Sequence, residues 1–305
     1  MKIKCLLLLC LIIAALPAKE IVVGETRHLT GEQESASFHP IYSVDGKSIY
    51  FTGEAKTGLW SLNRSNFQIA FITDARGAGF HPTSLSDGSV VFRQDEYING
   101  RKYTSLMKAD NSGIKRLLSN KRFLATTPYF DDQIITLSEE EIVILDGISE
   151  SSGSISREIT ALVNDKLKLK TFRNGVFSDL KPLGDGNYIW GELSPQKDMI
   201  VFTLVGQGTY ICDLEGKILT SLGEAHVPQW SPDGQLLVFM KDLDDGHQFT
   251  ESEIWITTTD GSQSWKITDT PDRIELYPRW SPSGEQIAYH SLQGEIFETL
   301  ITSID

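Results

Sequence analysis

Three histidines occupy related places in a repeated sequence pattern and could do chemistry together. His39 and His81 each directly precede a proline, and His226 lies two residues before Pro228. Neutral imidazole nitrogens are common ligands of divalent transition metals. If these segments begin equivalent strands around one axis, the histidines lie at the mouth of a central channel. The sequence then offers a binding site, or alternatively a metal site, made of His39, His81 and His226.

The element that would position these histidines is a short repeated unit. Its best copy reads Trp230-Ser231-Pro232-Asp233-Gly234, and the next copy reads Trp280-Ser281-Pro282-Ser283-Gly284. Proline presets φ, and Asp-Gly supplies a tight turn. Each copy therefore predicts two antiparallel strands joined by that turn. Because one such unit cannot bury its own faces, its repetition predicts a repeat architecture.

Six copies of the unit can be followed along the chain, and the distance from Pro40 to Pro82 suits one four-stranded propeller blade. The third copy is degraded. We assign to it strands at 134–137 and 141–145 and an outer hairpin at 167–172 and 176–183, and we treat 146–165 as an insertion.

The sixth copy lacks its last strand, and a segment near the other end of the chain matches the missing strand. That segment is Arg27–Thr30. A ring of blades leaves two unpaired strand edges unless the two chain ends meet. Exposed strand edges promote aggregation. We therefore predict an all-β fold, a six-bladed β-propeller whose last blade is closed by an N-terminal strand.

The first 18 residues differ from the rest. Lys2 and Lys4 precede an apolar run, Leu6–Ala15, that is too short to span a bilayer. This pattern is typical of a secretory signal peptide. We expect cleavage after residue 18, one domain over 19–305, a periplasmic or secreted location and no integral membrane segment after cleavage. Only Cys212 would then remain, so no internal disulfide can form.

Charge and motifs exclude several function classes. The chain has 28 Lys and Arg against 41 Asp and Glu, a formal net charge of −13. Repulsion disfavours nucleic acid and acidic polymers as partners. The sequence contains no Gly-x-Ser-x-Gly, His-Glu-x-x-His, Cys-x-x-Cys, P-loop or dinucleotide-binding motif. We therefore assign no catalytic residue, expect no cofactor, and expect a monomer.

The repeat resembles a known family. The Trp-Ser-Pro-Asp-Gly unit is followed by Ser252-Glu253-Ile254-Trp255-Ile256, by Asp260-Gly261 and by Trp265-Lys266-Ile267-Thr268. This order is similar to the repeat of TolB-type six-bladed β-propellers. The resemblance covers roughly 25–305 and is strongest over 226–301. It does not extend to the N-terminal α/β domain of TolB, because only a few residues separate the signal peptide from the closing strand.

The resemblance implies a non-catalytic scaffold that binds a protein or another component of the cell envelope. The 146–165 insertion and the Asp242–Glu251 hairpin are the loops that we expect to contribute most. Oligogalacturonide lyase has related repeats and holds a histidine-bound metal in its propeller. The alternative function is therefore a metal-dependent, lyase-like, saccharide-active enzyme using His39, His81 and His226. The net negative charge argues against a polyanionic substrate.

Overall fold

The structure is a computed structural model that describes residues 20–30, 36–122, 124, 129–130, 133–138, 141–146, 160–173 and 176–304. The predicted signal peptide lies outside the described residues, as does most of the predicted insertion.

Strands and one short 3-10 turn at Glu54–Lys56 make up the regular structure of the described residues. The strands are β1 Glu20–His28, β2 Phe38–Tyr42, β3 Ser48–Thr52, β4 Thr57–Asn63, β5 Ile69–Arg76, β6 Thr83–Ser84, β7 Val90–Ile98, β8 Arg101–Asp110, β9 Gly113–Lys121, β10 Tyr129–Phe130, β11 Gln133–Ser138, β12 Glu141–Asp146 and β13 Thr160–Asp165. They continue as β14 Lys168–Arg173, β15 Val176–Leu180, β16 Tyr188–Leu193, β17 Met199–Leu204, β18 Gly208–Asp213, β19 Ile218–Gly223, β20 His226–Trp230, β21 Leu236–Asp244, β22 Phe249–Thr258, β23 Ser264–Lys266, β24 Glu275–Trp280, β25 Gln286–Ser291 and β26 Ile296–Ile304. In this part of the chain, no helix has the length and apolar composition needed to cross a lipid bilayer.

The strands form propeller blades, as predicted, but the described residues do not show the predicted count of six. They contain five four-stranded blades, β2–β5, β6–β9, β16–β19, β20–β23 and β24–β26 with β1. Two three-stranded sheets, β10–β12 and β13–β15, lie between the second and third of these blades in the chain. We name each blade by its innermost strand.

The difference arises in the degraded third repeat. Residues 160–165, which the sequence analysis placed in an insertion, form β13 and pair with β14. The predicted outer hairpin therefore belongs to a sheet of its own. The turn between β13 and β14 is made by Lys166 and Leu167, with φ of 50° and 63°. Two left-handed residues match the twist of a hairpin, but neither is the Gly or Asn that marks such a turn in a sequence.

The N-terminal strand closes the ring, as predicted. β1 pairs antiparallel with β26, from Glu20 opposite Ile304 to His28 opposite Phe297. The closing strand begins at residue 20, earlier than the predicted start at residue 27. This pairing covers the edge of the last blade, so both ends of the described chain support one sheet.

The Ser-Pro-Asp-Gly turns lie together on one face of the ring, which we call the lower face. The Ser231 hydroxyl donates to Asp233 Oδ1 at 2.5 Å and accepts from the Leu236 N–H at 2.9 Å. Gly234 takes φ of 68°, which closes the turn. Neighbouring turns contact each other, because the Gln196 amide donates to the Asp233 carbonyl at 2.6 Å. The repeat motif thus has a structural role, because it forms the turns and connects neighbouring blades.

Candidate binding site at the mouth of the central channel

The innermost strand of each four-stranded blade begins on the opposite, upper face, where a residue with left-handed backbone recurs. These residues are His39, His81, Trp190, Val227 and Tyr277, with φ between 49° and 54°. In four of the five strands the register shifts beside that residue. Such backbone costs roughly 1–3 kcal/mol for a bulky residue, and it clusters at functional sites. β-Bulges also redirect side chains beside binding sites.

The structure gives the three predicted histidines different ring neighbours. The His39 ring lies 4.3 Å from Tyr277 and 5.2 Å from His290, measured between ring centroids. His81 packs edge-on against Phe80 with 4.8 Å between centroids. His226 lies one residue before the position that His39 and His81 take in their strands, because the left-handed residue of its strand is Val227.

The imidazole of His226 is hydrogen-bonded to a carboxylate of its own blade. Its Nδ1 lies 2.6 Å from Asp242 Oδ1. Among the residues that the structure describes, no three His, Cys, Asp or Glu side chains are grouped so that they could hold a metal ion. The alternative set of His39, His81 and His226 therefore has no ligand geometry here.

The histidines also differ in their protonation. Burial lowers the pKa of His39 to about 2, and the neighbouring basic groups of His290, Lys56, Arg279 and His81 contribute to the shift. Burial and three cationic neighbours lower the pKa of His81 in the same way. His81 is enclosed by protein but stays exposed to the channel, so water weakens the burial effect on its pKa. Both imidazoles are neutral at neutral pH.

We expect His226 to behave in the opposite way. Its hydrogen bond to Asp242 raises its pKa, and burial opposes this shift only in part. An NMR titration should place the pKa of His226 above 6.5, and Asp242→Asn should return it toward that value. His39 should show no titration between pH 5 and 8 in either protein. A His226 pKa that Asp242→Asn leaves unchanged would contradict this assignment.

The upper face leads into a central cavity of about 970 Å³. One position of the repeat contributes repeatedly to its wall, namely the residue after the leading proline or its equivalent. The residues at this position are Ile41, Thr83, Glu192, Gln229 and Arg279. The sequence analysis passed over them. A charged residue within an otherwise apolar strand motif is the signal that could have found Glu192 and Arg279.

Cations gather on the upper side of this channel around one aromatic ring. Lys56 Nζ lies 4.6 Å from the centroid of the Phe80 ring, and the guanidinium carbon of Arg93 lies 4.8 Å from it. Such contacts hold a cation by the negative charge of the ring face. Phe80 therefore fixes two cations beside His81.

The loop that carries Lys56 is itself held in place. Lys56 has φ of 56°, and its carbonyl accepts a hydrogen bond from the Gly79 N–H at 3.2 Å. Gly79 approaches Thr52 so closely that a Cβ at residue 79 would collide with its side chain. This close approach, which glycine permits, joins the first blade to the second and directs Lys56 to Phe80.

Arg279 and Glu192 are the charged members of the ring of wall residues. Burial lowers the pKa of Arg279, and the negative charge of Glu192 opposes that shift. Burial raises the pKa of Glu192 to about 7, although Arg279 and a backbone N–H oppose it. Across the described residues, Arg279 makes no side-chain hydrogen bond or ion pair. The channel mouth thus holds more positive than negative charge, in a chain of formal net charge −13.

Comparison with known proteins gives the fold and little more. No family model matches the chain. It is 37% identical over 68 residues to the uncharacterized peptidase YuxL of Bacillus subtilis, a match that covers 22% of this chain and 10% of that protein. The chain thus spans about a tenth of the length of the curated relative it matches.

Solved structures with the same fold are only distantly similar in sequence. The WD40 repeats of RRP9 superpose with a TM-score of 0.62 at 9% identity, covering 93% of this chain and 100% of that one. A candidate TolB of Agrobacterium tumefaciens superposes with a TM-score of 0.56 at 14% identity, covering 94% and 98%. At such identities the likeness establishes a β-propeller and does not transfer an activity.

Proposed function

We propose that this protein is an exported, non-catalytic, TolB-type β-propeller that binds a protein partner of the cell envelope on its upper face. The proposal places it in the periplasm or outside the cell, as a monomer with no bound cofactor. The TolB-like neighbour supports the scaffold fold, and the shape of the upper face supports the binding role.

Two long hairpins carry the proposal. β7 and β21 have nine residues each, whereas β3 has five. The four extra residues extend each hairpin by about 13 Å at ~3.3 Å per residue. In these antiparallel blades the second strand returns to the face where the first began, so both hairpins project from the upper face.

The hairpins present apolar side chains to solvent. Tyr97 is 61% exposed, Ile98 43% and Leu243 57%. Large apolar groups raised above a polar surface are typical of anchor residues in protein–protein interfaces. The carboxylates of Asp244 and Asp245 accept hydrogen bonds from the backbone of their own turn and keep the second hairpin ordered.

Site-specific photo-crosslinking in intact cells would test this function. A benzophenone amino acid at position 97 or 243 should give one discrete adduct with a partner. The same amino acid at Asp233 or Ser283, on the lower face, serves as the matched control and should give none.

Truncation of the first hairpin completes the design. Replacing residues 95–104 by an Asn-Gly turn should abolish the adduct formed from position 243 while leaving the melting temperature of the protein nearly unchanged. Adducts of equal yield from both faces, or none from the upper face, would overturn the proposal.

A further inference from the structure

We propose that the upper mouth of the central channel is an anion-binding site in which Arg279 and Lys56 bind a carboxylate or another oxyanion beside the ring of Phe80. The site is independent of the protein partner proposed above, since it requires only the channel. The argument has three steps, which concern geometry, charge and access.

The geometry places two cations and one aromatic ring, each from a different blade, on one cavity. Lys56 comes from the blade of β2, Phe80 from the entry to the blade of β6, and Arg279 from the last blade, and all three line the same cavity. Lys56 is fixed by its contact with Phe80 and by the hydrogen bond from Gly79. Convergent side chains held by their neighbours lose little conformational freedom on binding a ligand.

The cationic groups that line the site outnumber its acidic groups. Arg279 has no ion pair within the described part of the chain, and Glu192 is the acidic side chain that lines the cavity with it. Burial lowers the pKa of Lys56, and the positive charges of Arg279 and Arg93 lower it further. Like charges held together in an enclosed site are costly unless an anion joins them. A bound oxyanion would relieve this repulsion, and a guanidinium can hold it with two parallel hydrogen bonds.

The electric field of the channel and the size of the cavity also favour an anionic ligand. A channel whose low-dielectric walls carry charge of one sign focuses the electric field and concentrates counter-ions, even in a protein of opposite net charge. The cavity volume of about 970 Å³ is large enough for a small organic acid or for the end of a peptide. Both sources share the carboxylate that the site would recognise.

Isothermal titration calorimetry on the full mature chain would test the site. The probes are sulfate, succinate and a four-residue glutamate peptide, each at low ionic strength because salt screens the interaction. Wild-type protein should bind at least one of them with a stoichiometry of one. Binding of sulfate or succinate would identify free small anions as the source, and binding of the peptide alone would identify an acidic chain segment.

Three variants assign the binding to the channel. Arg279→Gln should weaken it by about tenfold to a hundredfold, in line with the loss of a charge-assisted hydrogen bond. Lys56→Gln, which changes a loop residue, should weaken it severalfold and guards against a folding defect in the first variant. Arg173→Gln is the matched control, because Arg173 is an exposed arginine paired with Glu215. It should bind as the wild type does.

Either of two results would overturn the inference. One is the absence of binding by all three probes to wild-type protein. The other is equal affinity of wild-type, Arg279→Gln and Lys56→Gln proteins for the probe that binds. Circular dichroism and melting temperatures of each variant establish that the folded protein is being compared.

Discussion

Glu298→Gln is expected to lower the free energy of unfolding by about 3 kcal/mol, the low end of the cost of breaking a buried ion pair. The Glu298 side chain is 1% exposed and lies where the two ends of the chain meet. Arg64 donates to it at 2.7 Å and the Tyr42 hydroxyl at 2.9 Å, and Arg27 of β1 also donates to it. Glutamine keeps the shape but removes the charge that both arginines face. Urea denaturation at pH 7 measures the difference.

The matched control is Glu96→Gln. Glu96 pairs with Arg116 at 3.3 Å, and both side chains are substantially exposed. An exposed pair contributes about 0–1 kcal/mol, so this variant should unfold nearly as the wild type does. Equal losses of stability in the two variants would mean that the Glu298 network does not hold the ring closed.

The pH dependence of the same variant follows from the pKa of Glu298. Burial raises this pKa, but hydrogen bonds from Arg64, Arg27 and Tyr42 outweigh burial and leave it below 4.5. A carboxylate with a lowered pKa stabilises the fold fully above its unfolded value of about 4.5, and the contribution is lost as the pH falls through the folded value. The stability gap between wild type and Glu298→Gln should therefore be constant from pH 6 to 8 and shrink below pH 4.5.

Glu192→Gln is expected to raise the affinity of the channel for sulfate roughly tenfold at pH 8.5, a typical coupling between neighbouring charged sites. Sulfate keeps its two charges across the range, so changes in its affinity report on the protein. Because the pKa of Glu192 is raised to about 7, the wild type should bind sulfate more tightly as the pH falls from 8.5 to 5.5. The variant should bind at all pH values as the wild type does at pH 5.5.

The effect of Glu192 on the pH dependence must be distinguished from the effects of other titratable groups near it. The strands packed against β16 carry Asp165, Lys168, Lys170, Arg173 and His226, and Arg279 faces it from β24. Of these only His226 has an ordinary pKa near neutrality. His226→Gln is therefore the control, and its sulfate affinity should keep the pH dependence of the wild type. A Glu192→Gln variant with undiminished pH dependence would show that another group is responsible.

The sequence predicted the β-propeller correctly because its evidence is local. Proline, Asp-Gly turns and alternating apolar residues act within a few positions of one another, and each turn forms as its residues require. The closing strand could also be inferred, since an incomplete last repeat needs a partner at its edge. The predicted number of blades was wrong because a hairpin was missed in the degraded third repeat. Its turn is made by Lys166 and Leu167 in place of the Gly or Asn that marks such a turn in a sequence.

The residues of the candidate binding site were mostly not predictable from the sequence. His39 and His81 were placed correctly at the start of innermost strands, but His226 lies two residues before its proline and Val227 takes the position equivalent to theirs. Arg279, Lys56 and Phe80 lie in different blades, and only the closed ring brings them to one channel. The net charge of the chain disfavoured an anionic ligand. A sum over the whole chain does not show where cations lie close together.

The sequence by itself determined the strands, the turns and the closing of the ring, because these depend on neighbouring residues and on the need to cover an edge. The tertiary structure decided which side chains meet at the channel mouth and how burial and neighbouring charge set their protonation. These properties arise from contacts between residues far apart in the chain, and they exist only once the blades surround a common axis.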